Sequence, residues 1–262
     1  MPENYETIIL SVEGQAARVW LNRPEIHNAF NATMIRELAD AFERIAGDQG
    51  VRVVVLSGKG PSFCAGADLN WMREIIKYSF DQNLEESLAI AELHYKIYSL
   101  PKPTIARVNG TAIGGGTGFL SACDVVIAAG GAKFGLSEVK IGLVPAAISP
   151  FVLRRIGESQ ARRYFLSGER FDAARALEIG LVNEAVPAEE LDAKVDELVG
   201  ALLTSGPEAL ASCKELLKNI PGMSFEEAKT YTARMIAGLR ISPEGQEGMA
   251  SFLEKRKPKW AR

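Results

Sequence analysis

The chain has 262 residues, of which 47% are hydrophobic and 24% charged, and its formal net charge is −3. This composition suits a compact domain with a full core, and the small charge gives no overall attraction to nucleic acid or an anionic membrane. No stretch approaches about 18 uninterrupted apolar residues, and no basic segment precedes an apolar one near the start, so neither a membrane span nor a signal peptide is expected. Three cysteines without CxxC or Cys/His spacing predict reduced thiols, a cytoplasmic location and no metal.

The first half of the chain alternates β-rich runs with amphipathic segments. The runs "TIILSVE" and "ARVWLN" predict two strands, and "NATMIRELADAFERIA" predicts a helix because its apolar side chains recur at helical spacing. The continuous β-branched run "VRVVVLSG" is typical of a strand buried on both faces of an α/β layer. This order of elements predicts an α/β fold.

The segment after the loop "KGPSFCAGAD" predicts a helix that ends before "PKP", followed by the strand "TIARV" and a glycine-rich turn. The apolar positions at helical spacing in this helix are Leu84, Leu88, Ala91, Tyr95 and Tyr98. "DVVIAA" and "KFGL" predict further strands. From about Gly157 onward the pattern predicts helices, and the last of them is expected to begin with Ser242 as its cap.

The turn "GGGTG", residues 114–118, follows a predicted strand and opens a predicted helix. Its glycines permit close backbone approach, and the first N–H groups of a helix are free to bind developing negative charge. A dinucleotide-binding fingerprint does not fit, because Phe119 stands where its last glycine belongs. Neither a P-loop nor a G-x-S-x-G nucleophile motif is present. Taken alone, the turn is explained equally well by tight packing of the helix.

A second turn, "FCAGADLNWM", follows the buried strand and opens another helix, so the N–H of Ala67 is a second candidate donor. Two backbone donors from different turns are what an oxyanion hole requires. The segment "FGLSEVKIGLVP" then places Glu138 among apolar neighbours after a short strand. Burial would raise the pKa of Glu138 and suit it to proton transfer, whereas a lone glutamate is more often a solvated surface residue.

Six segments, in this order and spacing, resemble the crotonase or enoyl-CoA hydratase/isomerase superfamily over nearly the whole chain. They are "HNAF", "FCAGADL", "NGTAIGGGTGFLSACD", "FGLSEVKIGLVP", "ALEIGLVNEAV" and "FLEKRKP". The resemblance implies an α/β fold in which a spiral of ββα units over residues 1–195 carries an acyl-CoA site and residues 196–262 form a C-terminal helical region. It also implies a homotrimer formed through those helices, or a hexamer built as a dimer of trimers.

The resemblance also implies positions for the CoA moiety. Contacts to CoA fall on Ala65 and on Arg23, which lies in the segment "NRPEIHNAF". Phe252 and Lys255, near the end of the chain, match positions that reach the CoA of a neighbouring subunit. Without the resemblance, the basic chain end would be interpreted as a solvated end or a nucleic-acid patch. No cofactor beyond the CoA moiety of the substrate is expected.

The reacting acyl group is expected between Ala67 and Gly115, whose N–H groups match the oxyanion hole of this superfamily. Typical two-glutamate hydratases carry one glutamate two residues after the glycine triplet and a second one in the "FG..E" segment. This chain has Gly118 at the first place and Glu138 at the second, so one carboxylate remains. Gly118 is expected to leave room at that place or to admit ordered water.

One carboxylate and an oxyanion hole support two reactions. Glu138 could hydrate a 2-enoyl-CoA by taking a proton from water and returning it to the α-carbon. Alternatively, it could move a proton between carbons, as an enoyl-CoA isomerase does. Hydration is the leading hypothesis, because "GADLNWM", "LSEVKIGLVPAAISPFV" and "RISPEGQEGMASFLEKR" are similar to bacterial methylglutaconyl-CoA or isohexenylglutaconyl-CoA hydratases of leucine and acyclic terpene catabolism.

A glutaconyl-type substrate carries a distal carboxylate, which needs a cation or several hydrogen-bond donors. The candidate residues are Lys77, Tyr78, His94, Arg154 and Arg155. Each of them is also explained as a solvated or packing residue. Two further alternatives stay open, a non-catalytic acyl-CoA binder and an RNA-binding member of the superfamily. The retained Glu138 argues against the first, and the negative net charge argues against the second.

Overall fold

The computed structural model describes residues 5–261. Within this range the strands are β1 Ile8–Glu13, β2 Ala16–Leu21, β3 Val53–Gly58, β4 Ser62–Cys64, β5 Thr104–Val108, β6 Thr111–Ile113, β7 Val125–Ala129, β8 Lys133–Gly135, β9 Arg170–Asp172 and β10 Glu184–Val186. The α-helices are α1 Ala32–Gly47, α2 Leu69–Ile75, α3 Phe80–Ser99, α4 Gly115–Ala122, α5 Ser149–Ser167, α6 Ala173–Glu178, α7 Leu191–Leu203, α8 Pro207–Asn219, α9 Phe225–Ile241 and α10 Pro243–Leu253.

The strands form two sheets, and the chain alternates between them. The larger sheet has the order β1-β2-β3-β5-β7-β10, and the smaller sheet has the order β4-β6-β8-β9. From β3 to β8, each strand of the larger sheet is followed at once by a strand of the smaller sheet. The strands β3, β5 and β7 run parallel, and so do β4, β6 and β8. This repeated passage is the predicted spiral of ββα units.

The strand β3 lies inside the larger sheet, and all six of its residues are buried, as its β-branched run predicts. Side chains alternate along a strand, so Val54 and Leu56 join the core cluster that contains α1, whereas Val53 and Val55 pack with α7. Each fully buried Val or Leu side chain stabilises the fold by about 1.5–3 kcal/mol. The strand is therefore held firmly, and it fixes where the loop to β4 begins.

The helix α3 packs against α1 and α4. It buries Leu93, His94 and Ile97. Of the apolar positions read from its sequence, Tyr98 packs against the core, whereas Leu84 and Leu88 are exposed in the single chain. The spacing therefore predicts the helix correctly but does not mark its buried face, because that face is selected by the neighbouring helices.

The C-terminal helices are capped by side chains. Ser242 caps α10 as predicted, and its Oγ accepts the N–H of Gly245 at 3.0 Å. The carboxylate of Glu244 reaches the start of α8, where it accepts the N–H groups of Glu208 and Ala209, both at 2.9 Å. A carboxylate at a helix N-terminus also interacts favourably with the helix dipole. This bond pair ties α10 to α8.

The helices α8 and α9 contain no fully buried residue in the single chain. The helix α7, Leu191–Leu203, spans the division predicted between residues 195 and 196, and its Val195 and Val199 pack under the larger sheet. The helical region beyond α7 therefore lies against the spiral with much of its surface uncovered.

In the described range 5–261, no helix is both long enough and apolar enough to cross a membrane.

Candidate active site

The first glycine turn joins β4 to α2 and presents the N–H of Ala67. Gly66 has φ +98°, a conformation that favours glycine. The Gly66 carbonyl accepts the Phe30 N–H and the Phe30 carbonyl accepts the Asp68 N–H, both at 2.8 Å. Ala67 lies between these bonds, and its own N–H donates to no described residue. It is therefore a free donor held in a fixed turn.

The second glycine turn joins β6 to α4. Gly114 caps the helix with φ +53°, and Gly115 is the first helical residue. The Gly115 N–H has no acceptor in the described part of the chain, as is usual in a first helical turn. A Cβ on Gly116 would lie 2.3 Å from a backbone oxygen of β4, and one on Gly115 would lie 2.5 Å from the Phe30 ring. Because glycine permits this approach, the free N–H groups of Gly115 and Ala67 lie on neighbouring turns.

Glu138 follows β8, at the start of a short 3₁₀ turn over residues 138–141. Its Oε1 lies 3.1 Å from the position that a Cβ on Gly114 would take, so the carboxylate sits against the cap of α4. Its Oε2 is buried and has no hydrogen-bond partner among the described residues. Burial raises the pKa of Glu138, and its backbone N–H opposes this only in part. A carboxylate in this state suits proton transfer.

The space directly over Gly118 is filled by other side chains. A Cβ on Gly118 would lie 2.1 Å from Ile148 Cγ2 and 2.6 Å from His94 Nε2. The expectation that Gly118 leaves room there is therefore wrong, because this packing itself requires glycine. The His94 ring is fully buried and stacks on Phe119 with 4.9 Å between centroids. Burial lowers the pKa of His94 to about 4, so the ring is neutral near pH 7.

Arg23 is engaged within the protein. Its Nη2 donates to Asp68 Oδ2 and its Nη1 to the Ala29 carbonyl, both at 2.7 Å. Asp68 also caps α2 by accepting the Asn70 N–H at 2.7 Å. Burial alone would raise the pKa of Asp68, but the bonds from Asn70 and Arg23 hold it below its usual value. The pair fixes the turn that presents Ala67, and the CoA contact of Arg23 stays a prediction.

The other residues predicted to contact CoA lie in two separate places. Ala65 is exposed on the first glycine turn. Phe252 is 82% exposed at the end of α10, and Lys255 is exposed with φ +53°. No described contact joins Phe252 or Lys255 to Glu138. Their predicted role concerns the CoA of a neighbouring subunit, and it stays a prediction.

Most candidate donors for a distal carboxylate are engaged elsewhere. Arg155 donates to three backbone carbonyls at the end of α4. Arg154 lies over the Tyr98 ring at 5.7 Å. Tyr78 lies near two glutamates, and burial together with their charge raises its pKa. Lys77 is exposed and forms no ion pair with a described residue. It is the candidate cation that stands free.

The sequence did not indicate the structural role of the segment "HNAF", which lies in its hydrogen bonds and in its packing. Asn28 is fully buried with φ +56°, and its Nδ2 donates to the carbonyls of Lys59 and Ser62, both at 2.8 Å. Phe30 lies over Gly115 and forms an apolar wall between the two glycine turns. The signal that could have found Asn28 is its residue type, since asparagine adopts the left-handed region more readily than other non-glycine residues.

Within residues 5–261, no group of three His, Cys, Asp or Glu side chains could hold a metal ion. The cysteines are free, with Cys64 and Cys123 buried and Cys213 exposed. Burial raises the pKa of Cys64 and of Cys123 to about 12, so both thiols stay protonated near pH 7. A protonated thiol is a poor nucleophile, and neither residue supports covalent catalysis.

Known proteins share this fold and sequence. A family model described as enoyl-CoA hydratase/isomerase matches residues 12–262. The crystal structure of an enoyl-CoA hydratase from Shewanella pealeana superposes with a TM-score of 0.95 at 40% identity, covering 98% of this chain and 96% of that one. The crotonyl-CoA hydratase of Syntrophomonas wolfei is 34% identical, over 97% of each chain. The hydroxycinnamoyl-CoA hydratase-lyase of Pseudomonas fluorescens is 34% identical, over 96% of this chain and 94% of that one.

Proposed function

The chain belongs to the enoyl-CoA hydratase/isomerase family, and we propose that it adds water to the double bond of a 2-enoyl-CoA thioester. One observation carries the proposal. Glu138 Oε1 lies against the turn that presents the N–H of Gly115, its Oε2 is buried, and neither that oxygen nor the N–H groups of Gly115 and Ala67 have a hydrogen-bond partner among residues 5–261. A substrate with a carbonyl oxygen for the donors and a transferable proton for the carboxylate satisfies all three groups.

The reaction follows from these groups. The thioester oxygen accepts the N–H groups of Ala67 and Gly115, which draws electrons away from the β-carbon. Glu138 takes one proton from water while the water oxygen bonds to the β-carbon, and the electrons of the double bond pass to the thioester oxygen. The resulting enolate collapses as Glu138 returns the proton to the α-carbon. The net change is addition of one water molecule, and Glu138 ends as it began.

An isomerase is the second candidate, and one observation favours it. Ile148 Cγ2 occupies the space over Gly118, where two-glutamate hydratases carry their other carboxylate. An apolar side chain there makes the site drier, and a dry site suits transfer of a proton between carbons by Glu138 alone. Hydroxylated product separates the two reactions, because an isomerase forms none.

The acyl group is proposed to be of the branched methylglutaconyl type. The support is the similarity of three sequence segments to such hydratases. The distal carboxylate of this substrate needs a cation, and Lys77, just beyond the C-terminus of α2, is exposed and forms no ion pair with a described residue. A change of Lys77→Met should therefore raise the KM for 3-methylglutaconyl-CoA and leave that for crotonyl-CoA unchanged.

CoA is proposed as the carrier of the acyl group, with no further cofactor, and its phosphates as partners of Arg23 and Lys255. The protein is proposed to act as a homotrimer or a dimer of trimers. The support is the uncovered apolar surface of the C-terminal helices, since Phe225, Ile241 and Phe252 are each about 80% exposed in the single chain. Light scattering after gel filtration measures the mass of the assembly and therefore the number of subunits.

The test follows the absorbance of the conjugated thioester when protein is added to 3-methylglutaconyl-CoA or crotonyl-CoA. The matched control is Glu138→Gln, which keeps the shape of the side chain and removes the base. Loss of absorbance that requires Glu138, with a hydrated product in the mass spectrum, is the expected result. Folded wild-type protein that forms no hydrated product from either thioester would contradict the proposal.

A further inference from the structure

Glu86 is a half-buried carboxylate on α3 that the proposed reaction does not use. Its Oε1 accepts the indole N–H of Trp71, on α2, at 3.1 Å. Its Oε2 is buried and has no hydrogen-bond partner among residues 5–261. In that range Trp71 is therefore the only donor to this carboxylate, and the bond joins α3 to α2.

Trp71 is the anchor of α2, the short helix that follows the first glycine turn. Of the seven residues of α2, all of which the structure describes, only Trp71 is buried. The cap of this helix, Asp68, comes directly after Ala67. Because so few residues separate Trp71 from Ala67, a fixed indole ring limits how far the turn that presents the Ala67 N–H can move.

The Trp71 ring also supports the apolar wall between the two glycine turns. It meets the Phe30 ring edge to face, with 5.7 Å between the centroids. Phe30 forms a β-bridge with Ala67, and a Cβ on Gly115 would lie 2.5 Å from the Phe30 ring. Phe30 therefore touches both turns that present the free donors, and a shift of the indole ring packed against it would disturb both.

The bond to Glu86 fixes the indole ring more firmly than packing alone. A buried indole N–H needs an acceptor, and a charged acceptor holds an N–H more strongly than a neutral one. The acceptor comes from α3, a helix of 20 residues that begins with a capping box at Ser79 and packs against α1 and α4. The carboxylate therefore ties the short α2 to a long helix that other contacts hold in place.

We infer that Glu86 is a positioning residue for the oxyanion hole. Its bond to Trp71 fixes α2 and the Phe30 ring. These two elements in turn hold the N–H groups of Ala67 and Gly115 in place for the thioester oxygen. The inference rests on the use of these two donors proposed above, and it applies to hydration and to proton transfer between carbons alike. Glu86 transfers no proton and acts only through Trp71.

The experiment removes each side of the bond in the full-length protein. Trp71→Phe keeps an aromatic ring without the donor, Glu86→Leu removes the acceptor, and Glu86→Gln keeps an acceptor oxygen. The double variant Trp71→Phe/Glu86→Leu completes a cycle that isolates this bond. The matched control is Trp260→Phe, which removes another indole N–H, the one that donates to the Thr204 carbonyl at 3.1 Å. Circular dichroism and Tm verify that each variant folds.

Two measurements report on the oxyanion hole. The first is kcat for the hydration of crotonyl-CoA. The second is the infrared carbonyl stretch of bound butyryl-CoA with ¹³C in the thioester carbonyl, whose frequency falls when the oxygen accepts hydrogen bonds. Butyryl-CoA has no double bond, so it is neither hydrated nor isomerised. A merely structural role of Glu86 would lower the Tm and leave the frequency of the carbonyl bound to folded protein unchanged.

Trp71→Phe and Glu86→Leu should each lower kcat roughly tenfold, less than the loss of about 10²- to 10³-fold on removing an oxyanion donor outright. Both should also return the carbonyl frequency part of the way to its value in free butyryl-CoA. The double variant should be no slower than the slower single variant, because both changes remove the same bond. Glu86→Gln should stay within about threefold of wild type, because its amide oxygen accepts the same N–H.

Losses that multiply in the double variant would overturn the inference and leave the hydratase function standing. The same holds if Trp71→Phe and Glu86→Leu keep the wild-type carbonyl frequency, or if Trp260→Phe changes it equally. Wild-type protein that lowers the carbonyl frequency but adds no water overturns the hydratase function alone, and the frequencies of the variants still decide the role of Glu86. Wild-type protein that leaves the frequency unchanged overturns the oxyanion hole and the role of Glu86 together.

Discussion

Two carboxylates in different regions of the molecule have opposite surroundings. Glu247 on α10 accepts Arg256 Nη1 at 2.7 Å and Nη2 at 3.0 Å, together with the Lys259 N–H at 3.0 Å. The bonds from Arg256 hold the pKa of Glu247 at about 2. Glu138 has a buried oxygen with no partner in the described part of the chain, and burial raises the pKa of this carboxyl group. A fully bonded carboxylate stabilises the chain end, whereas an unbonded one is available to a substrate.

The same two regions differ in their apolar side chains. The spiral closes its own core, and Phe119 and Phe134, close to the site, are fully buried. In the C-terminal helices, Ile241 and Leu253 are 80% and 79% exposed. The proposed catalytic groups therefore belong to the part that one chain completes by itself. The predicted CoA contacts Phe252 and Lys255 belong to the part that one chain leaves uncovered.

The largest effect is expected from exchanging the two carboxylates for amides in turn. Glu138→Gln removes the base and should lower kcat/KM for the enoyl-CoA roughly 10²- to 10⁴-fold. Glu247→Gln weakens only the chain end and should keep kcat within about twofold. Initial rates on crotonyl-CoA measure both. Equal rates for the two variants would show that the unpartnered carboxylate is not the base.

The pH dependence of kcat/KM follows from the raised pKa of Glu138. The base must be ionised, so the rate should fall about tenfold per pH unit below that pKa, which lies above the ordinary value of 4.5. The free energy of unfolding has the opposite pH dependence. Because burial favours the protonated form of Glu138, its contribution to stability is present at low pH and is lost as the pH rises through the raised pKa. A pH–rate profile in stable buffers measures this limb. A rate that stays flat down to pH 4.5 would contradict it.

Replacing a glycine by alanine should change the free energy of unfolding in opposite directions in the two regions. Gly118→Ala drives a Cβ into Ile148 and should lower the free energy of unfolding by roughly 1–3 kcal/mol. Gly238 lies on α9, and apart from the adjoining backbone of that helix no atom of the described residues lies within 4 Å of its Cβ position, so Gly238→Ala should raise the free energy of unfolding by about 0.5–1 kcal/mol. Urea titrations measure both. Tolerance of Gly118→Ala would mean that the space over α4 is open.

The smallest effect is expected at the chain end. Phe252→Ala and Lys255→Gln should raise the KM for an acyl-CoA roughly two- to fivefold and leave kcat unchanged, because each removes less than about 1 kcal/mol of exposed contact. The increase in KM caused by Lys255→Gln should become smaller as salt is added, because salt screens the charge of this lysine. The control is Lys259→Gln, which changes another exposed lysine of the chain end and keeps the backbone N–H that Glu247 accepts. A fall in kcat would contradict this prediction, because it would show that the chain end affects the chemical step.

Much of this arrangement can be predicted from the sequence because it is local. The glycine triplet at 114–116 and the turn that carries Ala67 each follow a strand, and parallel strand ends meet at one place in the fold. The Glu138 segment follows β8, which pairs with β6 next to them. Short motifs at strand ends therefore predict which backbone groups come together.

The remainder depends on contacts between distant segments, which no local pattern contains. His94 reaches Gly118 because α3 packs on α4, and Ile148 reaches the same glycine from the start of α5. Arg23 is held by Asp68, which is 45 residues away along the chain. Such contacts are selected by the way helices pack, and the exposed Leu84 and Leu88 show that apolar spacing alone does not indicate this.

The central claim is that one carboxylate, Glu138, adds water to an enoyl-CoA. The most direct test runs the reaction in H₂¹⁸O and determines the mass of the acyl-CoA product, with Glu138→Gln in parallel. The account predicts that wild-type protein forms a hydroxyacyl-CoA carrying one ¹⁸O atom and that the variant forms it far more slowly. A product without the label, formed at a rate that requires Glu138, would contradict hydration and identify the reaction as proton transfer between carbons.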